Sequence, residues 1–179
     1  AIQLRDEKCE EEGWFNCNQF HNELNIEAHY KTTGPEIHTE YNDLLLPHPD
    51  VFVAGTGTGG TLMGTTGYLK TKWRDLKVVA IEPAESPVMS GGEPGLHGIQ
   101  GIGDGSKFLV ELDKVDDVRI VSTKCAETCA KHLAKNYGLC VGISAAANIF
   151  ASFQWLRDNN KETAVTILCD RGERYFSVL

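Results

Sequence analysis

The chain has 179 residues, of which 41% are hydrophobic and 23% are charged, a composition typical of a soluble globular protein with one full domain. Its net charge of -8 at pH 7 argues against a nucleic acid or a membrane surface as partner, because both attract basic proteins. No apolar run approaches the length of a membrane span, and the first residues do not resemble a signal peptide.

The six cysteines include no CxxC pair. Cys125 and Cys129 lie four residues apart in a predicted helix, so both thiols could face one metal ion. We interpret all six instead as reduced thiols of a cytoplasmic or organellar protein, and we predict no metal site.

The N-terminal third predicts helical and extended segments. Residues 1–12 have the spacing of an amphipathic helix, residues 14–17 suit a short strand, and residues 25–42 suit a helical region that is interrupted at 32–35. No methionine and no capping residue precede the first helix, and the chain stops close behind a strand. We therefore expect both ends to be cut from a longer protein.

From residue 50 onward, short apolar strands alternate with helices. Residue Thr123 is predicted to cap a helix, and residues 83–108 form a Gly- and Pro-rich loop of a length that is often functional. The alternation predicts an α/β fold, with an open, mostly parallel sheet that carries helices on both faces. The predicted strands are 50–54, 77–81, 118–121 and 164–168, and the predicted helices are 62–73, 123–136 and 145–157.

The strongest chemical signal is the glycine-rich turn at residues 55–61, between the first of these strands and the helix that follows. Backbone N–H groups and the helix dipole favour an anion there, and glycine lets the backbone approach a phosphate closely. The hydroxyls of Thr56, Thr58 and Thr61 are expected around the same point. The turn predicts a phosphate site on which the amides of residues 57–59 converge.

The same turn permits a second interpretation. Gly55, Gly57 and Gly60 also satisfy G-x-G-x-x-G, and Glu82 closes the next strand about where a ribose-binding acid belongs. Pro83 directly after Glu82 and the hydroxyl-rich turn favour a terminal phosphate over a pyrophosphate. An NAD-binding Rossmann domain of an oxidoreductase stays open as an alternative.

Seven ordered motifs, which run through nearly the whole chain, resemble those of the cysteine synthases, or O-acetylserine sulfhydrylases. These are pyridoxal 5'-phosphate (PLP) enzymes of fold type II, the group that also contains cystathionine β-synthase. The motifs are QF-x-N-x-x-N at 19–25, TTGPEI at 32–37, GTGGT at 57–61, EPAESPV at 82–88, IQGIG at 99–103, GIS at 142–144 and GERY at 172–175.

The resemblance implies that this is the C-terminal large domain of a fold type II enzyme whose N-terminal half is missing. Residues 1–18 would be a remnant of the smaller N-terminal domain, and residues 19–179 would form the PLP-phosphate-binding α/β domain. In the intact protein the implied reaction is β-replacement, in which O-acetylserine and sulfide give cysteine and acetate. The resemblance also implies a homodimer that can bind the C-terminal tail of serine acetyltransferase.

The resemblance assigns roles to the cofactor-binding residues. Ser144 would bond the pyridine nitrogen of PLP through a neutral hydroxyl, although its position also suits a helix N-cap. We expect this hydroxyl at the start of a helix near Ala145, on the same side of the sheet as the phosphate loop. The residues implied to hold the PLP phosphate are Gly57, Thr58, Gly59, Gly60 and Thr61.

On the substrate side, the resemblance implies that Gln19 binds the substrate carboxylate and that Gly101 belongs to the loop lining the substrate. In the family, the lysine that forms the Schiff base with PLP lies upstream of the segment containing Gln19, and Lys8 has none of its surrounding motif. We therefore expect no catalytic residue in this chain and no turnover by the chain alone. A naturally short, non-catalytic regulatory partner is a further alternative.

Two sequence features point to different isozymes, so the resemblance does not specify the substrate and the sulfur donor. Cys169-Asp170-Arg171 before the GERY motif is similar to the sister isozyme that uses other sulfur donors, whereas the motifs at 82–88 and 99–103 are similar to the main O-acetylserine isozyme. Outside the motifs, we interpret the histidines at 21, 29, 38 and 48 as surface or locally hydrogen-bonded side chains.

Overall fold

A computed structural model describes residues 2–178, without the side chains of the first two of them. This part of the chain forms a four-stranded sheet and six α-helices. In chain order they are α1 (Ile2–Glu12), α2 (Leu24–Lys31), α3 (Thr33–Asp43), β1 (Val51–Gly55), α4 (Gly60–Lys72), β2 (Lys77–Pro83), β3 (Asp117–Val121), α5 (Thr123–Tyr137), α6 (Ile143–Asn159) and β4 (Ala164–Thr166).

The four strands pair in the order β3-β2-β1-β4, and every pair is parallel. The chain therefore runs outward from β1 to β2 and β3, and then crosses back so that β4 lies on the other side of β1. This reversal of strand order makes a crevice beyond the carboxyl ends of β1 and β4, where open α/β sheets bind their ligands. The predicted α/β class and parallel sheet are confirmed.

Both faces of the sheet are covered, which explains why its strands are continuously apolar. Along β1, Val51 and Val53 pack against one core cluster with α6, while Phe52 and Ala54 pack against another with α4. Because successive side chains of a strand point to opposite faces, burial on both faces requires apolar residues at every position. Full burial of Phe52 alone contributes roughly 1.5–3 kcal/mol.

Helix α2 lies close against α4 because α4 presents glycines to it. A Cβ atom on Gly64 would lie 2.2 Å from the carbonyl oxygen of Ile26 and 2.7 Å from the Cβ of His29. One turn earlier, a Cβ on Gly60 would lie 1.9 Å from Oδ1 of Asn25. The close approach brings the side chains of Asn25 and His29 to the glycine-rich turn.

Two local predictions are wrong. Residues 14–17 form no strand, and the side chain of Phe15 is 90% exposed, so this segment finds no neighbouring strand or core face to stabilise it. The cap of α5 is Ser122, whose hydroxyl accepts the amide of Cys125. The Thr123 hydroxyl instead accepts the amide of Gly98 at 2.8 Å and so anchors the 83–108 loop.

The division of the chain at residue 18 stays a prediction. All six cysteines are free thiols. Within the described residues, none of the helices combines the length and the apolar character that crossing a membrane requires.

Candidate functional site

A cavity of about 550 Å³ lies at the carboxyl ends of β1 and β4, in the size range of small-molecule sites. The turn after β1, the first turn of α6 and the segment after β4 all contribute to its wall. Among its lining residues are Gln19, Gly57, Thr58, Gly59, Thr61, Gly101 and Ser144. The fold thus brings together every predicted site residue except Gly60.

The glycine-rich turn leaves three amides available at the N-terminus of α4. The N–H groups of Gly57, Thr58 and Gly59 donate to no atom of residues 2–178. Gly59 adopts φ +91°, and a Cβ there would approach the backbone nitrogen of Val110 to 2.9 Å, so glycine is required. Unpaired amides at a helix N-terminus are donors for an anion.

Two neighbouring donors fix the Thr58 hydroxyl oxygen, and its own hydrogen remains available for donation. Its Oγ1 accepts from Nδ2 of Asn25 at 2.9 Å and from the amide of Gly60 at 3.2 Å. A hydroxyl that accepts twice can still donate its hydrogen to a ligand in the cavity. The amide of Gly60 is used in this contact and Gly60 packs on Asn25, so any part that Gly60 plays in phosphate binding is through Thr58.

The expectation that three threonine hydroxyls surround one point is wrong for Thr56. Its hydroxyl donates to the carbonyl of Ile81 at 3.2 Å, and the residue is 5% exposed. Because Thr56 follows directly on β1, its hydroxyl turns back toward β2 rather than into the cavity. Thr61, in the first turn of α4, does line the cavity, and its Oγ1 lies 3.1 Å from Nε2 of His29.

Ser144 lies in the first turn of α6 and lines the cavity opposite the phosphate loop. It is not the N-cap, because the helix begins at Ile143 and Gly142 takes that position. The thiol of Cys169 lines the same cavity, and burial raises its pKa. Ser144 is therefore a neutral donor beside a protonated thiol.

Ser144 and the phosphate loop do not share a face of the sheet, contrary to expectation. Helix α4 packs on the face that carries Phe52, and α6 packs on the face that carries Val53. The first turns of both helices project beyond the carboxyl edge of the sheet, so they meet at the same cavity from opposite faces. A crevice at a reversal of strand order is shared by helices of both faces.

The substrate-side residues also reach the cavity. The carbonyl of Gln19 accepts from Nδ2 of Asn25 at 3.0 Å, the same amide group that bonds Thr58. Gly101 adopts φ +90°, and its carbonyl oxygen would lie 2.7 Å from a Cβ on Gly57. The loop containing Gly101 therefore touches the glycine-rich turn, which explains why residue 57 lacks a side chain.

Asn148 is a positioning residue that the sequence motifs do not reveal. It is fully buried, its Oδ1 accepts the amide of Gly55 at 2.8 Å, and its Nδ2 donates to the carbonyl of Ile167 at 2.8 Å. It thus joins the end of β1 to the chain just beyond β4 at the mouth of the crevice. The sequence signal that could have identified Asn148 is the presence of a polar residue within the alanine-rich part of α6.

Two carboxylates also line the cavity, those of Asp104 and Asp170. Oδ2 of Asp170 accepts from the Tyr175 hydroxyl at 2.6 Å, and burial together with this bond raises the pKa of Tyr175 to about 12. Tyr175 is therefore a neutral donor. A Cβ on Gly142 would lie 1.8 Å from Oδ1 of Asp170, so α6 can begin here only with glycine before it.

Glu82 does not have the exposure that a ribose-binding acid needs. It is 2% exposed, and its carboxylate accepts the amides of Met89 at 2.6 Å and Ser90 at 2.9 Å. These bonds hold the start of the 83–108 loop, so Glu82 does not face a ligand. The geometry therefore disfavours the dinucleotide interpretation of the turn.

The donor set fits PLP. Three free amides and two threonine hydroxyls at a helix N-terminus suit a phosphate, and a neutral serine hydroxyl across the cavity suits a pyridine nitrogen. Among the sequence relatives, a cysteine synthase of Staphylococcus aureus is 41% identical over 99% of this chain and 57% of its own length. Cysteine synthase B of Campylobacter jejuni is 42% identical over 91% of this chain and 53% of its own.

Solved structures agree with the sequence relatives. O-acetylserine sulfhydrylase isoform 3 of Entamoeba histolytica has a TM-score of 0.91 and 38% identity over 98% of this chain and 52% of its own. The chain thus spans about half the length of the relatives it matches. It has the PLP fold type II architecture, and the family model for pyridoxal-phosphate dependent enzymes matches residues 1–170. The chain belongs to the pyridoxal-phosphate dependent enzyme family.

Proposed function

We propose that this chain supplies the phosphate- and ring-binding half of the active site of a cysteine synthase-type enzyme. The intact protein would convert O-acetylserine and sulfide to cysteine and acetate. The observation that carries the proposal is the set of free amides of Gly57, Thr58 and Gly59, residues that line one cavity together with Ser144. The cysteine synthase relatives support the same reaction.

The chain's own residues would bind and orient the reactants. The three amides with the hydroxyls of Thr58 and Thr61 would hold the PLP phosphate, and Ser144 would donate to the pyridine nitrogen. PLP, when bound, withdraws electrons from the α-carbon of an amino acid and so assists loss of its β-substituent. A neutral serine partner leaves the ring nitrogen largely unprotonated, which suits elimination at the β-carbon.

The substrate side is assigned by resemblance. Gln19 would bind the substrate carboxylate, and the loop containing Gly101 would line the substrate; both residues border the cavity. The lysine that carries PLP in the family lies upstream of the Gln19 segment. We also propose that the intact protein is a cytoplasmic homodimer that binds the C-terminal tail of serine acetyltransferase, proposals that rest on the same resemblance.

Ligand binding by the 179-residue chain tests the proposal. Because the phosphate contacts come from this chain, PLP should raise its melting temperature, pyridoxal without the phosphate should raise it much less, and NAD should not change it. No cysteine should form from O-acetylserine and sulfide. An equal effect of pyridoxal and PLP, stabilisation by NAD, or measurable turnover would contradict the proposal.

The sequence of the source gene tests the alternative that the chain is a naturally short, non-catalytic regulatory partner. If the source gene encodes the upstream half of the enzyme in one reading frame with this chain, the chain is part of the catalyst. If it encodes this chain alone, a non-catalytic partner becomes the better interpretation.

A further inference from the structure

His29 bridges the glycine-rich turn and the start of α3 with both of its ring nitrogens. Nε2 lies 3.1 Å from Oγ1 of Thr61, and Nδ1 lies 2.8 Å from Oγ1 of Thr33. The ring is held there because Gly64 lets α2 approach α4 closely, with the Cβ of His29 2.7 Å from where a Cβ on Gly64 would lie. Of the three residues in these contacts, Thr61 is the one that lines the cavity.

The ring is expected to be neutral at pH 7, because burial lowers the pKa of His29 below its usual value. A neutral imidazole has one N–H donor and one acceptor nitrogen, so only two arrangements of hydrogens satisfy both contacts. In the first, Nδ1–H donates to Thr33, and the Thr61 hydroxyl donates its hydrogen to Nε2. In the second, Thr33 donates to Nδ1, Nε2–H donates to Thr61, and the Thr61 hydroxyl keeps its hydrogen.

A phosphate oxygen can only accept a hydrogen bond, so the two arrangements differ in what they offer the cavity. Only the second lets Thr61 donate to an anion held by the amides of Gly57, Thr58 and Gly59. We propose that His29 is a positioning residue: with Thr33 holding Nδ1 as the acceptor, Nε2–H fixes the Thr61 hydroxyl so that its hydrogen points to the PLP phosphate. This inference rests on the proposed function and names a residue through which it is achieved.

Two substitutions of His29 test whether it acts as a hydrogen-bond donor to Thr61 or only fills space. In His29→Gln the terminal amide reaches approximately the position of Nε2 and can donate to Thr61, whereas in His29→Asn the amide reaches only the position of Nδ1. We expect PLP affinity, measured by fluorescence titration of the full chain, to change less than about threefold in His29→Gln and to fall about tenfold in His29→Asn. Equal losses in both variants would overturn the proposal.

The neighbouring threonines provide a matched pair. Thr33→Val removes the hydroxyl that holds Nδ1, while Thr32→Val removes a hydroxyl that donates only to the carbonyl of Ala28 at 2.7 Å. Valine keeps the branched shape in both. PLP affinity should fall in Thr33→Val and stay unchanged in Thr32→Val. Equal effects would show that the Thr33 contact does not act through His29.

The tautomer gives a readout that a purely structural role would not change. In ¹H–¹⁵N spectra of the full chain at pH 8, with PLP bound, Nε2 of His29 should carry the proton and Nδ1 should be unprotonated; inorganic phosphate is a second probe. A proton on Nδ1 in the PLP complex would overturn the inference while leaving the proposed function intact. Failure of the unsubstituted chain to bind either PLP or phosphate would instead refute the proposed function.

Discussion

At the scale of single residues, the candidate site depends on hydroxyls and amides whose protein partners leave one hydrogen unused. Thr58 accepts twice and retains its own hydrogen, and Ser144 is a neutral donor at the start of α6. The sequence motifs identify these residues, because each lies in a glycine-containing segment that resembles the family. The partners of Thr58 and Thr61, which are Asn25 and His29 of α2, are revealed only by the packed structure.

Substitution of Ser144 tests its proposed contact with the pyridine nitrogen. In the full-length enzyme, Ser144→Ala should lower turnover on the order of tenfold, the loss expected for one hydrogen bond to a reacting group, while PLP affinity changes little because the phosphate contacts remain. Both are measured on the purified holoenzyme.

Ser152→Ala is the matched control, because Ser152 is a buried serine of the same helix whose hydroxyl donates to the carbonyl of Asn148 at 2.7 Å. If the two variants lose the same activity, Ser144 acts through folding rather than through the ring.

At the scale of elements, the glycines of α4 set the distance between α2 and α4. The sequence shows glycines at 64 and 67 within the predicted helix 62–73, where glycine is unfavourable, but the pattern does not say which of them a second helix needs. The structure separates them. Gly64 contacts the backbone of α2, whereas a Cβ on Gly67 would meet only the ring of Tyr30 at 3.5 Å.

The two glycines should therefore respond to alanine in opposite directions. Gly64→Ala forces α2 away from α4 and should lower the free energy of unfolding by on the order of 1–3 kcal/mol, as overpacking does. Gly67→Ala places the methyl group in ordinary contact and should raise it by about 0.5–1 kcal/mol. Urea unfolding measures both, and a loss of stability in Gly67→Ala would contradict this account.

At the scale of the whole molecule, the first and last strands are joined where both begin. Asp50 precedes β1, and its Oδ2 accepts the amide and the hydroxyl of Thr163, each at 3.1 Å, and the amide of Glu162 at 3.1 Å. Lys161 pairs with the other oxygen at 3.1 Å. Burial raises the pKa of Asp50, but the hydrogen bonds outweigh it and lower the pKa to about 2.

Because the folded pKa lies below the ordinary value of 3.8, the charged form of Asp50 stabilises the fold above about pH 4 and this contribution is lost as the pH falls through about 2. Asp50→Asn should therefore lower the free energy of unfolding at pH 7 by about 1 kcal/mol, an amount reduced by partial exposure. In urea unfolding, the difference from the unsubstituted chain should narrow as the pH falls from about 4 through about 2.

The exposed Asp113 offers a control, since Asp113→Asn removes one carboxylate, and so the same charge, from the surface. If the free energies of unfolding of Asp50→Asn and the unsubstituted chain differ by the same amount from pH 7 to pH 2, the stabilisation does not depend on the charge of Asp50.

The sequence by itself determined the α/β class, the parallel strands and the phosphate turn, because strands buried on both faces are apolar throughout and glycine marks a close backbone approach. Only the tertiary structure decided the rest. It excluded the strand at residues 14–17, which finds no partner, and it turned Thr56 away from the cavity and buried Glu82. It also brought Asn148 between β1 and β4 and His29 beside Thr61. These contacts join residues far apart in the chain, and local patterns carry no information about which distant surfaces will meet.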